Sequence, residues 1–184
     1  GALEFAEKVS KSGSQPIIGT QINFLFDDEV GKLPLFAMSS KGYRNLIKLS
    51  SKSYLDSNSK TDPHCKLEEL KNYNEDLILL TGNHCDLFGK LYKLNKLRKI
   101  ETCVNELKTI FKNRFYIEIQ RHGDQNEKAF EKFNLSKSLE LEIALIATNE
   151  VFYINKDMYE AHDTLICIKN KTYVNEKNRI KFSN

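Results

Sequence analysis

Ile100-Glu101-Thr102-Cys103-Val104-Asn105-Glu106-Leu107-Lys108-Thr109-Ile110-Phe111 is followed, three residues on, by Phe115-Tyr116-Ile117-Glu118-Ile119. In the first run Ile100, Cys103, Val104, Leu107, Ile110 and Phe111 keep the three-and-four spacing of a helix face. In the second, Phe115, Ile117 and Ile119 alternate with Tyr116 and Glu118, as in a strand. Helix gives way to strand within one short turn, and the same alternation extends outward in both directions. Upstream, Leu77-Ile78-Leu79-Leu80 has the length and continuous apolarity of a buried parallel strand ended by Gly82. Downstream, a polar helix from about Asp124 to Leu139 leads into Ile143-Ala144-Leu145-Ile146-Ala147. Met158, Ala161, Leu165 and Ile168 mark one more helix from near Asp157.

Toward the N terminus, Ala2, Phe5, Ala6 and Val9 share a helical stripe that ends near Ser12 and Gly13. Pro16 to Phe24 and Leu33 to Met38 read as neighbouring strands separated by the acidic loop Asp27-Asp28-Glu29. Ser40 is a candidate helix cap, with Leu46, Ile47 and Tyr54 on one face of the amphipathic helix it would start. Asp56 to Asp62 reads as polar loop, and Leu67 to Leu70 as a short helix. Strands alternating with helices predict an α/β fold with a mostly parallel sheet or barrel covered by helices.

Composition narrows the function classes. With 184 residues, 40% of them apolar, the chain can bury one substantial core. Lys and Arg total 28 against 25 acidic residues. This balance is too even to mark a nucleic-acid surface, and the run Lys96 to Lys99 reads as a solvated helix face. No apolar run approaches the roughly 20 residues of a spanning helix. Cys65, Cys85, Cys103 and Cys167 are far apart and no signal-peptide pattern precedes them, so the reducing cytoplasm is the expected location. The chain opens on Gly1, in the middle of what reads as a helix, so upstream sequence is expected to be missing.

Chemistry in such folds collects at the carboxyl ends of the strands. There the sequence places Gln21, then Asn83, His84 and Cys85, then His122, then Asn149 and Glu150. His64-Cys65 and His84-Cys85 match no compact zinc module, and extended neighbours would point apart. The plainer reading is a loop histidine and partly buried thiols. His122 closes a strand beside Gly123, either as a ligand or as a surface histidine in a turn. His162, one turn after Met158, reads as a packing residue.

Taken in order, Gly1-Ala2-Leu3-Glu4-Phe5, Pro16-Ile17-Ile18-Gly19, Gly42-Tyr43-Arg44-Asn45-Leu46, Leu77 to Gly82, Phe115 to Gly123, Ala147-Thr148-Asn149-Glu150-Val151 and Glu160-Ala161-His162-Asp163 resemble successive landmarks of the PHP (polymerase and histidinol phosphatase) domain of bacterial DNA polymerase III alpha subunits. The resemblance runs to about Ile168, more loosely to Phe182. It implies an incomplete distorted barrel of about seven strands, mostly parallel and covered by helices. It also implies a single partial domain over 1–184, with its first strands before Gly1 and a weakly patterned tail over 170–184.

The resemblance further implies a rim of His, Asp, Glu and Cys residues able to bind about two or three divalent ions and hydrolyse phosphoesters. The family's opening His-x-His and Asp-His pairs would lie before Gly1. The remaining positions map residue by residue. A carboxylate expected after Gly19 is Gln21, a thiol expected after Gly82 is Asn83 with Cys85 two places on, and an Asp-x-His pair is Glu150-Val151-Phe152. Only His122 is retained. The expectation is a vestigial site at Gln21, Asn83, His122, Glu150 and Phe152 with no cofactor and no catalysis by this piece, since hard cations need several oxygen or nitrogen donors each. The expected role is a scaffold within the replicative polymerase, a DNA-directed nucleotidyltransferase. Its partners would be the remaining polymerase domains and the proofreading exonuclease, with DNA met only through the whole enzyme and no membrane. The rival is a working metal-dependent phosphoesterase or 3'-5' exonuclease, holding Zn, Mn or Mg through His122, Glu150, Cys85 and His162.

Overall fold

Two residues, Asp27 and Asp28, reverse the chain between β1 (Gly19–Phe26) and β2 (Glu29–Ala37) in the computed structural model, which describes residues 1–56 and 62–181. Asp27 takes a left-handed backbone, φ 52°, which a short acidic side chain tolerates. So tight a connection forces the two strands antiparallel, because a parallel pair needs a long crossover. Register runs from Gly19 opposite Phe36 to Phe26 opposite Glu29.

Four further strands, β3 (Cys65–Lys66), β4 (Leu77–Leu80), β5 (Phe115–Ile119) and β6 (Leu145–Ala147), complete a sheet of order β3-β1-β2-β4-β5-β6. β2 and β4 are antiparallel, while β1 with β3, β4 with β5 and β5 with β6 are parallel. The sheet is therefore mixed but mostly parallel in direction: among the described residues it has six strands, and β2 alone runs against the other five. The one reversed strand traces to the hairpin: turning at Asp27-Asp28 sends β2 against β1 on one side and β4 on the other.

Seven helices accompany the strands among the described residues: α1 (Ala2–Lys11), α2 (Ser40–Leu55), α3 (Glu69–Tyr73), α4 (Leu87–Lys93), α5 (Leu97–Phe111), α6 (Gln125–Leu141) and α7 (Tyr159–Asn170). The core gathers Phe24, Leu33, Leu35, Leu49, Leu79 and Phe111, all fully buried. α5 presents Ile100, Cys103, Val104, Leu107 and Phe111 to it, the stripe read from the sequence.

α2 begins one residue after its cap, Ser39, whose hydroxyl oxygen accepts from the backbone N–H of Lys41 and Gly42 at 3.1 and 3.3 Å. Its buried face is Gly42, Asn45, Leu46, Leu49 and Ser53, whereas Ile47 and Tyr54 are 49% and 71% exposed, against expectation. The contact with the chain before β4 decides the face. A Cβ on Gly42 would lie 2.0 Å from the Asp76 carbonyl oxygen, and Asn45 Nδ2 donates to the Glu75 carbonyl at 2.9 Å. Only a glycine and a small polar residue let the helix come this close.

The short helix expected over Leu67 to Leu70 is α3, shifted two residues on. α4 had no expected counterpart, yet it buries Leu87, Phe88 and Leu91. β6 is an edge strand whose residues are all exposed, and of the run 143–147 only Ile143 is buried. α7 buries only Asp163 and Cys167. Arg179, from the tail, closes on Asp163 with two bonds of 2.5 and 2.6 Å. The loop expected from Asp56 to Asp62 falls largely on 57–61, outside the described residues, as do the last three residues of the tail.

Candidate functional site at the strand ends

β5 delivers Gln120, Arg121, His122 and Gly123 to the rim, and α6 begins at once beyond them. Asp124 caps α6, accepting from the backbone N–H of Asn126 at 2.7 Å, while Glu127 reaches back to the Asp124 N–H in a capping box. Glu127 does more than cap. Its Oε2 also accepts from the backbone of His122 and Gly123 at 2.8 and 3.0 Å, and its Oε1 lies 2.8 Å from His122 Nδ1. Burial opposes ionisation of Glu127, but the His122 ring and these N–H groups outweigh it and hold the carboxyl below its usual range. The other ring nitrogen of His122, Nε2, lies 2.6 Å from Asn149 Oδ1. Both nitrogens are thus engaged within the protein.

Across the rim, Gln21 Nε2 donates to Glu150 Oε1 at 3.3 Å. Gln21 lies in β1, near one end of the sheet order, and Glu150 follows β6 at the other end. Their contact means that the sheet curls until its far strands converge. Gln21 sits within β1 rather than at its end, because the strand runs on to Phe26.

The loop after β4 contributes Asn83, His84, Cys85 and Asp86. It is folded on itself: Asn83 N–H donates to Asp86 Oδ2 at 2.9 Å, and Asn83 Oδ1 accepts from Cys85 N–H at 2.8 Å. Gly82 permits this with φ +81°, and a Cβ there would meet Asp86 Oδ2 at 2.7 Å. Burial, with Glu150 and Glu118 nearby, pushes the Asp86 carboxyl up to about 6, against the opposing Asn83 N–H and Lys32. Partial burial of its sulfur also raises the Cys85 thiol, so this cysteine, although an exposed residue, is a poor thiolate. His84 Nε2 lies 3.6 Å from Asp124 Oδ2.

Phe152 stacks on His162, centroids 4.9 Å apart at 20°. Cys65 is buried in β3 and donates to the Leu49 carbonyl at 3.2 Å, its thiol pushed up to about 11 by burial, while His64 Nδ1 lies 2.8 Å from the Asp62 carbonyl oxygen. Neither pairing suggests zinc.

Three acidic residues here escaped the sequence reading. Glu127 carried a signal, the Asp-x-x-Glu spacing of a capping box. Asp86 and Glu118 carried none. Glu118 lies in β5 with 4% exposure, and its Oε1 is met by Thr148 and, at 2.9 Å, by Gln120 Nε2.

The donor set does not fit a pair of divalent ions. Gln21 presents an amide N–H toward Glu150, His122 has no free ring nitrogen, Asn83 caps its own loop and Phe152 has no lone pair. Among the described residues no three His, Cys, Asp or Glu side chains gather as a metal would require.

Comparison with known proteins matches the chain to one family. A model of the PHP domain matches residues 1–122. The chain is 38% identical over 169 residues, 91% of its length, to the DNA polymerase III subunit alpha of Rickettsia bellii (strain RML369-C), of which this is 14%. It is 32% identical, in an alignment of 187 positions that covers 97% of the chain, to that of Caulobacter vibrioides (strain NA1000 / CB15N), of which this is 16%. It is 31% identical over 171 residues, 91% of its length, to that of Vibrio cholerae serotype O1 (strain ATCC 39315 / El Tor Inaba N16961), of which this is 15%. The chain thus spans about one seventh of the length of these relatives.

Proposed function

The chain belongs to the PHP domain family, and from that premise we propose that it serves DNA replication as a catalytically degenerate scaffold within a DNA polymerase III alpha subunit. On this reading it stabilises the polymerase in the cytoplasm and offers a docking surface to the proofreading exonuclease. The curled sheet is then part of an incomplete PHP-type barrel, and nucleotide addition resides in other parts of the polymerase.

One observation carries the reading: the polar groups of the rim are engaged with one another, His122 by Glu127 and Asn149, Glu150 by Gln21. A divalent ion would have to break these bonds and then find too few further donors to replace its water. Docking has support of another kind. Leu165 and Ile168 on α7 are 61% and 70% exposed, Val151 and Ile154 in the segment before it are exposed as well, and β6 is an uncovered edge strand, which leaves apolar groups available to a partner.

Metal analysis of the purified polymerase that contains this chain, with an assay on a nitrophenyl phosphate ester, tests the reading. No bound Zn, Mn or Mg at the rim and no turnover are expected. Bound metal with turnover abolished by His122→Ala would overturn the scaffold.

A second reading, a metal-dependent phosphoesterase or 3'-5' exonuclease, draws on the carboxylate behind His122. Metal-binding histidines are commonly oriented by such a partner on the far ring nitrogen, and Glu127 holds Nδ1 in that way. His122 and Glu150 would be the ligands, aided by Cys85 and His162.

A further inference from the structure

Two buried polar atoms are without a hydrogen-bond partner among the described residues, and the residues that carry them line one cavity. The atoms are Nδ1 of His84 and Oε2 of Glu118. Glu118 is 4% exposed and the His84 side chain 14%. Leaving either atom unpaired in a nonpolar surrounding is costly, and each therefore demands a partner.

The cavity between the β4 loop, β5 and α6 has a volume of about 10 Å3, and its wall also includes Asn134 and the carboxylates Glu127 and Glu131, which are already engaged by His122 and Arg121. That is close to the smallest space that holds one water molecule. The chemistry of the two atoms selects the occupant. Asp124 Oδ2, 3.6 Å from His84 Nε2, favours the proton on Nε2, which leaves Nδ1 with a lone pair. The Glu118 carboxylate oxygen is also an acceptor. Two unpartnered acceptors on one small cavity match the two O–H bonds of a single water, whereas among the described residues no three His, Cys, Asp or Glu side chains gather as a divalent ion would need.

We infer that one structural water sits in this cavity and donates to both His84 Nδ1 and Glu118 Oε2, pinning the loop that carries Asn83 and Cys85 to strand β5. The inference is independent of whether the rim is a scaffold or an enzyme.

A crystal structure of the full chain at a resolution that shows ordered water tests it. One peak is expected at about 2.6–3.2 Å from each of the two atoms, and it should be lost in His84→Leu with the backbone unmoved. An empty cavity, a direct bond between the two side chains, contacts of about 2.0–2.2 Å as to a metal, or a peak that persists in the variant would each overturn the inference. Should His84→Leu fail to fold, the unaltered chain still decides. Nuclear Overhauser contacts between a long-lived water and the His84 ring proton beside Nδ1 are expected, and their absence would overturn it.

Discussion

Glu127 grips His122 twice: one carboxylate oxygen lies 2.8 Å from ring Nδ1 and the other accepts the backbone N–H of the same residue at 2.8 Å. The fork joins the end of β5 to the first turn of α6, so the strand end and the helix start are one mechanical unit.

Glu127→Ala removes the capping box and leaves inward backbone donors unpaired. A loss of about 2 kcal/mol is expected, from the usual worth of a cap and of a buried hydrogen bond. Urea unfolding at neutral pH measures it, and a change below about 0.5 kcal/mol, the range of an ordinary surface substitution, would contradict the geometry.

Two carboxyls should shape acid stability in opposite senses. Glu127 is held below its ordinary value of 4.5 when folded, so its contribution is present above that value and fades as pH falls. Asp86 is raised from 3.8 to about 6. Its contribution is full below pH 3.8 and is lost as pH rises through 6. Asp86→Asn should therefore gain stability relative to the parent between those limits, by an amount on the order of 2–3 kcal/mol, and run parallel to it above about pH 7. Unfolding curves at several pH values would show this, and parallel profiles throughout would refute it.

Gly82→Ala places a Cβ at positive φ and within 2.7 Å of the Asp86 side chain. A cost of at least about 1 kcal/mol is expected from the backbone alone. Gly82→Ala in an Asp86→Gly background, which removes the Asp86 Cβ as well as its carboxylate, should cost less than in the parent. Equal costs in both backgrounds would mean that the contact is immaterial.

Asp163→Ala should release the tail, because it strips Arg179 of both its carboxylate bonds. Amide hydrogen exchange over 172–181 is expected to rise while β4 and β5 stay protected. Unchanged exchange in the tail would show that something else holds it.

Legibility followed periodicity. α5 and β5 were readable because their apolar spacing is clean and each contributes one face to the core, and β4 was readable as an uninterrupted apolar run. α2 misled because Gly42, Asn45 and Ser53 are not apolar, so its buried face looked polar and Ile47 and Tyr54 looked like core. α6 hides its inner face in the same way: Glu127, Phe130, Asn134 and Ser138 are all buried, and Asn134 and Ser138 donate to the carbonyls of Glu118 and Ile143. A helix that docks through hydrogen bonds leaves no amphipathic signature. At the rim, single residues were identifiable from the strand ends, but pairings such as His122 with Asn149 depend on how the sheet curls, which no local pattern encodes.

The bond between Gln21 and Glu150 spans 129 positions of the chain. Closing so long a loop costs more entropy than closing a local one, so the bond is expected to form late, after the strands between its ends are ranged side by side. Gln21→Ala is then expected to speed unfolding while leaving the folding rate almost untouched, which the two arms of a denaturant chevron would show; a slowed folding arm would place this latch in the nucleus instead.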